Sequence, residues 1–385
     1  MTLAEPAVTQ TDARPRIAVN ISNCVAGGGL QIAIWFVDKL MQQNNSLPYD
    51  ISYVINKVHL AKLGPSVSHV PESRLLVLDA SPMRSLRARR AAASFLAATE
   101  YGCVLSLFGP SGISYPRQIS GVANAFITSP DKAIMKSVFG GSWPIQFLRY
   151  LTFGRMLSNS QILIFETAVE RDRYVARWRY PLSRTAVVGN SVNDIFSSAR
   201  PDPAHALSAT DGPRLLFVTG PQPHKNNHMI PSYVAALKRT GLGEFRIAMT
   251  LDREGAAGWL PDLGSDAHHL DLLGHLPPAA LLRQYQRCHL VIQPSSFETY
   301  SAVYNETRFV PRTLLVSDRA FARGICADFA RFFEPLDADD FARTVISALE
   351  NIDNSAQAAW TARSNVLLPQ EKFRKILDVV DQFVL

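Results

Sequence analysis

The chain has 385 residues, which is long for a single hydrophobic core and comfortable for two domains. Hydrophobic residues make up 47% and charged residues 19%, so each half has enough apolar side chains for a sizeable core, and a disordered chain is excluded. The formal net charge of +6 favours acidic partners such as phosphorylated substrates, nucleic acid or an anionic membrane surface.

The remaining bulk features indicate the compartment. The four cysteines form no CxxC pair, so the sequence predicts neither a disulfide framework nor a structural zinc site. Residues 1–14 are expected to be a disordered lead-in, and they lack the basic-then-apolar pattern of a signal peptide. Because no run of about 18 apolar residues occurs, no transmembrane helix is expected. We therefore expect a cytoplasmic protein, at most peripheral on the inner face of the plasma membrane.

A strand, a glycine turn and a helix open the folded chain. Residues 16–22 are rich in β-formers, Gly27, Gly28 and Gly29 predict a turn, and residues 30–41 have helical apolar spacing. Such a turn lets backbone N–H groups approach an anion at the helix start; the alternative is a tight turn without a ligand. The stretch GGGLQI does not match GxGxxG, so a nicotinamide-dependent enzyme is not supported.

The rest of the first half continues this alternation of strands and helices. Further strands are expected at 51–56, 74–79, 103–108, 161–165 and 185–193. Helices are expected at 82–98 and 167–178.

Two stretches of the first half are basic. The first helix of this pair carries Arg84, Arg87, Arg89 and Arg90, which predicts a solvated face or, less simply, a patch for lipid head groups. Residues 132–156 interleave lysines and arginines with aromatic residues. This pattern is compatible with docking at a membrane interface and equally with core packing under a basic outer face.

A linker divides the chain nearly in half. Residues 197–213 are rich in Pro, Ala, Ser and Asp without sustained periodicity, and the alternation of strands and helices restarts at residue 214. The prediction is therefore two doubly wound, Rossmann-like α/β domains, residues 15–196 and 214–365, facing across a cleft. A final helix at about 369–383, within residues 366–385, lies beyond the second alternation.

Candidate site residues follow the ends of two strands of the second half. Glu298 and Glu306 follow the apolar run 288–292, with Glu298 placed in a loop and Glu306 in the second turn of a helix. The N–H groups of Tyr300, Ser301 and Ala302 at the helix start suit an anion.

Two side chains complete this candidate pocket. Lys225 can neutralise a phosphate as a point charge, and its alternative is a solvated surface lysine. Glu306 can accept both hydroxyls of a ribose, and its alternative is a surface glutamate paired with Arg308 or Arg312. Together with the glycine turn, these groups predict a nucleotide-sugar pocket.

The stretch FETYSAVYNE, Phe297 to Glu306, resembles the E-x7-E segment of the retaining GT-B glycosyltransferases of family four. The segments GNSVN (189–193), HKN (224–226) and LGHLP (273–277) follow the order of that family. The segments LFGPS (107–111) and GVAN (121–124) are similar to members that build bacterial surface polysaccharides such as O-antigen.

The resemblance implies a GT-B fold whose final helix returns to the N-terminal domain. It implies an NDP-sugar donor held by the C-terminal domain, an acceptor held by the N-terminal domain, transfer with retention, and no cofactor or essential metal. It places Glu306 on the donor ribose, Glu298 near the sugar hydroxyls and Lys225 on the diphosphate.

The diphosphate would also meet amides. By the same resemblance these belong to Ser301, Ala302, Gly28 and Gly29. Many members carry an arginine before the lysine, and because this chain has none there, His224 and Asn226 are expected to assist. The DxD-like Asp337-Ala-Asp339 precedes a helix, so capping is expected rather than metal binding.

The function expected is therefore a hexosyl- or deoxyhexosyltransferase acting on a glycan or lipid-linked acceptor, in contact with an anionic membrane. The alternatives are an NDP-sugar epimerase or hydrolase on the same fold, and a non-catalytic partner in polysaccharide assembly. No nucleic acid partner is expected, because the sequence contains no recognition motif or base-stacking module.

Overall fold

The computed structural model describes residues 14–25, 27–44, 46–128, 130–199 and 212–384. The lead-in expected to be disordered lies outside the described residues except for Arg14, and the linker lies outside them from 200 to 211. The described residues form thirteen strands: β1 Arg16–Asn20, β2 Asp50–Asn56, β3 Leu75–Leu78, β4 Cys103–Ser106, β5 Gln118–Val122, β6 Ile162–Phe165, β7 Thr185–Val187, β8 Arg214–Phe217, β9 Arg246–Met249, β10 Leu270–Leu272, β11 Leu290–Gln293, β12 Thr313–Ser317 and β13 Ala330–Phe333.

The α-helices of the described residues alternate with these strands. They are α1 Gly27–Gln43, α2 Lys57–Leu63, α3 Leu86–Ala97, α4 Ala125–Thr128, α5 Lys132–Phe139, α6 Trp143–Leu157, α7 Ala168–Trp178, α8 Asp194–Ser197, α9 Ile230–Arg239, α10 Arg253–Ala256, α11 Pro278–Arg287, α12 Ala302–Phe309, α13 Ala320–Cys326, α14 Ala338–Glu350, α15 Ile352–Thr361 and α16 Pro369–Val384.

The strands form two sheets, which confirms the predicted α/β fold class. The order of the first sheet is β3-β2-β1-β4-β5-β6-β7, and that of the second is β10-β9-β8-β11-β12-β13. All five neighbouring pairs of the second sheet run parallel. Each sheet therefore has the doubly wound order that reverses direction beside its first strand.

The contacts of the chain group into two compact units. The first comprises the chain up to Val122, Met156–Ile164 and the end from Leu377; the second comprises Ala123–Arg155 and Phe165–Ile376. In the first unit, Arg117 donates to the carbonyl of Phe383 at 2.6 Å. This contact joins the end of the final helix to the N-terminal sheet, as predicted.

The second sheet is covered on both faces. Strand β11 is buried along its whole length, which explains its continuous apolar sequence. On one face Tyr233 of α9 stacks on Phe341 of α14 with ring centroids 4.1 Å apart. On the other face Tyr285 of α11 and Tyr304 of α12 are fully buried. The strand ends, and not the faces, are thus left to form a site.

The structure corrects the prediction of a glycine turn before the first helix. Helix α1 begins at Gly27, so Gly28 and Gly29 belong to its first turn. The N–H groups of a first turn need no partner within the helix, so weak helix formers are tolerated there. Their amides still lie at a helix amino end.

The basic and aromatic stretch 132–156 forms helices α5 and α6. The aromatic side chains of this stretch, with Phe139 and Tyr150 among them, pack against Phe126 and Phe297. The basic side chains are exposed. Core packing under a basic outer face is therefore observed in this stretch.

Two further findings concern features expected from the sequence. All four cysteines are buried free thiols, namely Cys24, Cys103, Cys288 and Cys326. Among the described residues no helix combines the length and the apolar character needed to cross a bilayer.

Candidate functional site

The order of the second sheet reverses between β8 and β11, and this places two loops side by side. In open α/β sheets ligands bind at the carboxyl ends of the strands at such a reversal. The loop after β8 carries Lys225, and the loop after β11 carries Glu298. The two candidate side chains, 73 positions apart in sequence, are brought together by this topology.

Backbone and amide contacts tie the two loops to each other. The Ser296 N–H donates to the His224 carbonyl at 2.8 Å. Asn226 has a left-handed backbone, with φ of 56°, and its Nδ2 donates to the Pro294 carbonyl and to Ser296 Oγ, each at 2.7 Å. Asparagine tolerates this conformation better than most residues. Asn226 therefore fixes the position of the loop that carries Lys225.

Lys225 and Glu298 form an ion pair at the strand ends. Lys225 Nζ contacts Glu298 Oε1, and the two side chains are only 17% and 13% exposed. The alternative of a freely solvated lysine is therefore not what the structure shows. His224 Nε2 lies 4.0 Å from the same carboxylate oxygen. Burial lowers the pKa of His224, so a neutral imidazole is expected near pH 7.

Glu306 lies in the second turn of α12 and is buried. Its Oε2 accepts a hydrogen bond of 2.6 Å from the hydroxyl of Tyr285 on α11. Arg308 instead lies over the Phe329 ring, and Arg312 donates to the Tyr285 carbonyl. Glu306 is therefore not a surface glutamate paired with either arginine. Burial raises its pKa to about 7, against the opposing effect of the Tyr285 hydrogen bond.

Glu306 predicts a specific pH dependence of stability. A carboxyl group whose pKa is raised on folding binds more protons in the folded chain, so its contribution is complete at acid pH and is lost as pH rises through about 7. Wild type is expected to lose up to roughly 3 kcal/mol of unfolding free energy between about pH 5 and pH 8 through this group. Glu306→Gln is expected to lose that component, as urea unfolding at both pH values will show.

The control for this experiment is Glu350→Gln, an exposed position at the end of α14. The difference between wild type and this control is expected to stay flat with pH. The same pH slope in wild type and Glu306→Gln would contradict a protonated, buried Glu306.

The start of α12 lies at Ala302, with Ser301 as its N-cap. The side chain of Ser301 makes no capping hydrogen bond, and its Oγ lies 3.0 Å from the amide of Gln293. The Tyr300 hydroxyl donates to Asn305 Oδ1 at 2.6 Å. Of the three expected amides, Tyr300 thus precedes the helix, Ser301 caps it and Ala302 opens it.

Sequence reasoning missed two charged residues near this loop, the half-buried Glu166 and the buried Lys372. Thr299 directly follows Glu298 in the sequence, and its Oγ1 donates to Glu166 Oε2 at 2.8 Å. Lys372 is 5% exposed, and its Nζ contacts Asn190 Oδ1. Burial raises the pKa of Glu166, and the positive charge of Lys372 opposes this effect. Burial lowers the pKa of Lys372.

The sequence contains a signal for each of these residues. Glu166 directly follows the buried strand β6, and Lys372 lies on the apolar face of α16 with Ile376 and Val380. The segment GNSVN contributes Asn190, whose carbonyl accepts from Asn305 Nδ2 at 2.9 Å. The network therefore anchors both the loop before α12 and the helix itself.

A cavity of about 300 Å³ opens beside Glu298 and His224. Its walls include four rings that pack on one another, which we call the aromatic cluster: Phe126, Phe139, Tyr150 and Phe297. The polar part of the wall includes Asn124, Gln222 and Thr299. An apolar cavity with a few polar groups is the usual form of a small-molecule site.

Comparison with known proteins decides the fold. Sucrose-phosphate synthase from Thermosynechococcus elongatus is 14% identical over 96% of this chain and 99% of its own, with a TM-score of 0.70. HepE from Anabaena in complex with UDP-glucose is 12% identical over 95% and 99%, with a TM-score of 0.69. A glycosyltransferase from Rickettsia africae is 13% identical over 96% and 98%, with a TM-score of 0.64. The chain has the GT-B fold. No protein-family model and no curated protein matches the sequence.

In this GT-B chain, Gly28 and Gly29 lie in the first unit. Helix α1 follows β1, beside the point where the first sheet reverses its order. Asn23 Nδ2 donates to the carbonyls of Phe108 and Pro110, at 2.8 and 3.1 Å, and so ties the β1 and β4 loops together. The other eight candidate residues all lie in the second unit.

None of the ten candidate site residues belongs to the group of potential metal ligands found in the described part of the chain. Among the described residues, one group places three ligand atoms within 4.8 Å of one another: Glu244, His268 and His269. Asp337 Oδ1 accepts from the amides of Asp339 and Asp340, both at 2.9 Å. The DxD-like segment therefore caps α14, as predicted.

Proposed function

We propose that the protein is a retaining glycosyltransferase that moves a sugar from an NDP-sugar to a glycan or lipid-linked acceptor. The observation that carries the proposal is the Lys225–Glu298 pair at the reversal of the second sheet, with the buried carboxyl of Glu306 on the helix that follows. Neighbours with the same fold support it, since HepE is seen with UDP-glucose and trehalose-6-phosphate synthase from E. coli with UDP-2-fluoro glucose.

Each side chain has one task in this proposal. Lys225 transfers part of its interaction from Glu298 to the donor diphosphate, which frees Glu298 to accept from hydroxyls of the transferred sugar. Glu306 keeps Oε2 on Tyr285 and offers Oε1 to the ribose hydroxyls. His224 and Asn226 hold the lysine loop against residues 294–296.

Amides complete the diphosphate site of the proposal. The N–H groups of Ser301 and Ala302, next to Tyr300, lie at the start of α12, where the helix dipole favours negative charge. Gly28 and Gly29, with amides at the start of α1, remain candidate diphosphate ligands of the first unit. No cofactor or essential metal is part of the proposed reaction.

The chemistry is electrostatic. As the bond between the sugar and the diphosphate breaks, negative charge grows on the leaving NDP. A preorganised ammonium group and N–H donors stabilise that charge more in the transition state than in the ground state. The acceptor oxygen then bonds to the sugar carbon on the side that the NDP leaves, and the proton of the acceptor hydroxyl passes to the departing diphosphate, so that configuration is retained.

The finer assignments are part of the same proposal. They are a hexosyl or deoxyhexosyl group, residues 15–196 for the acceptor and 214–365 for the donor, and a role in bacterial polysaccharide, O-antigen or glycolipid assembly. The protein would work in the cytoplasm, peripheral on the inner face of the plasma membrane.

A panel of UDP- and GDP-sugars in a thermal-shift assay tests the donor. The right donor binds only the native state, so it raises the unfolding midpoint. At 100 times its Kd it adds about 2.7 kcal/mol to the free energy of unfolding. Glu306→Gln is expected to lose most of this shift. The experiment contradicts the proposal if no NDP-sugar stabilises the wild type.

A second measurement separates transfer from the alternatives. Release of NDP is expected only after a glycan or lipid-linked acceptor is added. Release from the donor alone, at the same rate, would indicate a hydrolase instead. A stabilising donor without any NDP release across the acceptor panel would favour the non-catalytic partner.

A further inference from the structure

Helices α5 and α6 carry an unusual concentration of positive charge. Residues 132–157 contain four cations and no Asp or Glu, in a chain whose total formal charge is +6. Lys132, Lys136, Arg149 and Arg155 are all exposed. Lys132 and Arg149 lie over the rings of Phe147 and Phe153 rather than beside a carboxylate. The charge of this surface is therefore not neutralised by its own helices.

Two large apolar side chains are exposed on α6, beside two of these cations. Ile145 and Leu148 are 72% and 64% exposed, and they lie one turn apart on α6. At 3.6 residues per turn, Arg149 and Arg155 fall on the same side of the helix. An exposed face of apolar side chains bordered by cations is typical of helices that lie in the interface of an anionic bilayer.

The opposite side of α6 lines the cavity. Tyr150 of α6 lies away from Ile145 and Leu148 at 3.6 residues per turn, and it lines the cavity beside His224 and Glu298 together with Phe139 at the end of α5. The charged side of α6 and the cavity are thus two sides of one helix. A bilayer held on the outer side would lie next to the cavity.

We propose that the exposed side of α5 and α6 docks on an anionic phospholipid bilayer and presents the cavity to a membrane-borne acceptor. The docking surface is defined by Lys132, Lys136, Ile145, Leu148, Arg149 and Arg155. Charge complementarity selects a bilayer over a second copy of this chain, whose own docking surface would repel it. Only the lipid-borne nature of the acceptor rests on the proposed function.

Cosedimentation of the full chain with vesicles tests the docking. Wild type is expected to bind phosphatidylcholine vesicles that contain phosphatidylglycerol, to bind pure phosphatidylcholine much less, and to be released by high salt. Lys132→Gln/Lys136→Gln/Arg149→Gln/Arg155→Gln is expected to lose about fivefold in partitioning for each charge. Ile145→Ser/Leu148→Ser is expected to lose at least about tenfold.

The matched control lies on α3, the other basic helix with an exposed apolar residue. Leu86→Ser/Arg87→Gln/Arg90→Gln removes a 67% exposed leucine and two exposed arginines there. This variant is expected to bind vesicles as wild type does. Because all substituted side chains are exposed, urea unfolding is expected to be unchanged in all three variants.

Three outcomes would overturn the docking proposal. The first is that wild type does not bind the anionic vesicles, and the second is that the α3 variant loses binding while the α5–α6 variants keep it. The third is that wild type sediments as a dimer that Ile145→Ser/Leu148→Ser dissociates. The donor-induced thermal shift is measured on the same variants and is expected to be unchanged. If no NDP-sugar shifts any variant while vesicle binding follows the expected pattern, the proposed transferase is contradicted and the docking stands.

Discussion

Lys225→Ala is expected to lower kcat/KM for sugar transfer about 30- to 900-fold, which corresponds to roughly 2–4 kcal/mol of lost transition-state stabilisation. The Lys225 side chain is 17% exposed and its ammonium group lies where the order of the second sheet reverses. A diphosphate that leaves at this place would develop its negative charge next to the ammonium group. Its loss also leaves the carboxylate of Glu298 without a cation. The variant is expected to act mainly on kcat, because the charge on the NDP grows only as the bond breaks.

Two further variants separate this effect from a loss of folding. Lys225→Arg keeps the charge and is expected to recover part of the rate. Lys238→Ala removes another paired lysine, on α9, whose side chain is 47% exposed and bonds Asp266 at 2.6 Å. It is expected to transfer sugar at the wild-type rate. Unchanged turnover in Lys225→Ala, with urea unfolding intact, would remove Lys225 from the reaction.

The sequence predicted the sheets well because their signal is local. Strands buried on both faces read as continuous apolar runs, and the apolar run 288–292 noted in the sequence overlaps the observed strand Leu290–Gln293. Strand β5 was missed because Gln118, Ser120 and Gly121 interrupt its apolar pattern. Those positions are buried, and the Gln118 side chain is satisfied by Ser120 Oγ at 3.0 Å, a partner that composition does not reveal.

The site was predictable only as far as each loop could be placed at a strand end. Glu298 in a loop and Glu306 in the second turn of a helix follow from spacing, and both are observed there. The partner of Glu306, Tyr285, lies 21 positions earlier, and that of Thr299, Glu166, lies 133 positions earlier. Such pairings depend on the order of strands in the sheet, which local patterns do not encode. Local patterns also do not determine which side chains are exposed. The composition of residues 132–156 could not assign the inner and outer sides of α5 and α6.

Lys372→Met is expected to lower the free energy of unfolding by about 1–3 kcal/mol, the usual cost of leaving a buried polar group without its hydrogen-bond partner. Lys372 is 5% exposed, and without it Asn190 Oδ1 loses its donor and Glu166 its nearest described cation in this network. Lys375→Met is the matched control, because Lys375 is exposed on the same helix. It is expected to change stability by no more than about 0.5 kcal/mol.

The double variant Lys372→Met/Glu166→Gln tests whether the two charges act as a pair. Because Glu166→Gln removes the carboxylate that Lys372→Met leaves uncompensated, the double variant is expected to cost less than the sum of the two singles. The cost of Lys372→Met should also shrink at acid pH, since the raised pKa of Glu166 lets that carboxyl take up a proton. Strict additivity in urea unfolding would show that the charges are independent. Coupling, together with a smaller donor-induced thermal shift in Lys372→Met than in Lys375→Met, would show that this pair holds Thr299, and through it Glu298, in place for the donor.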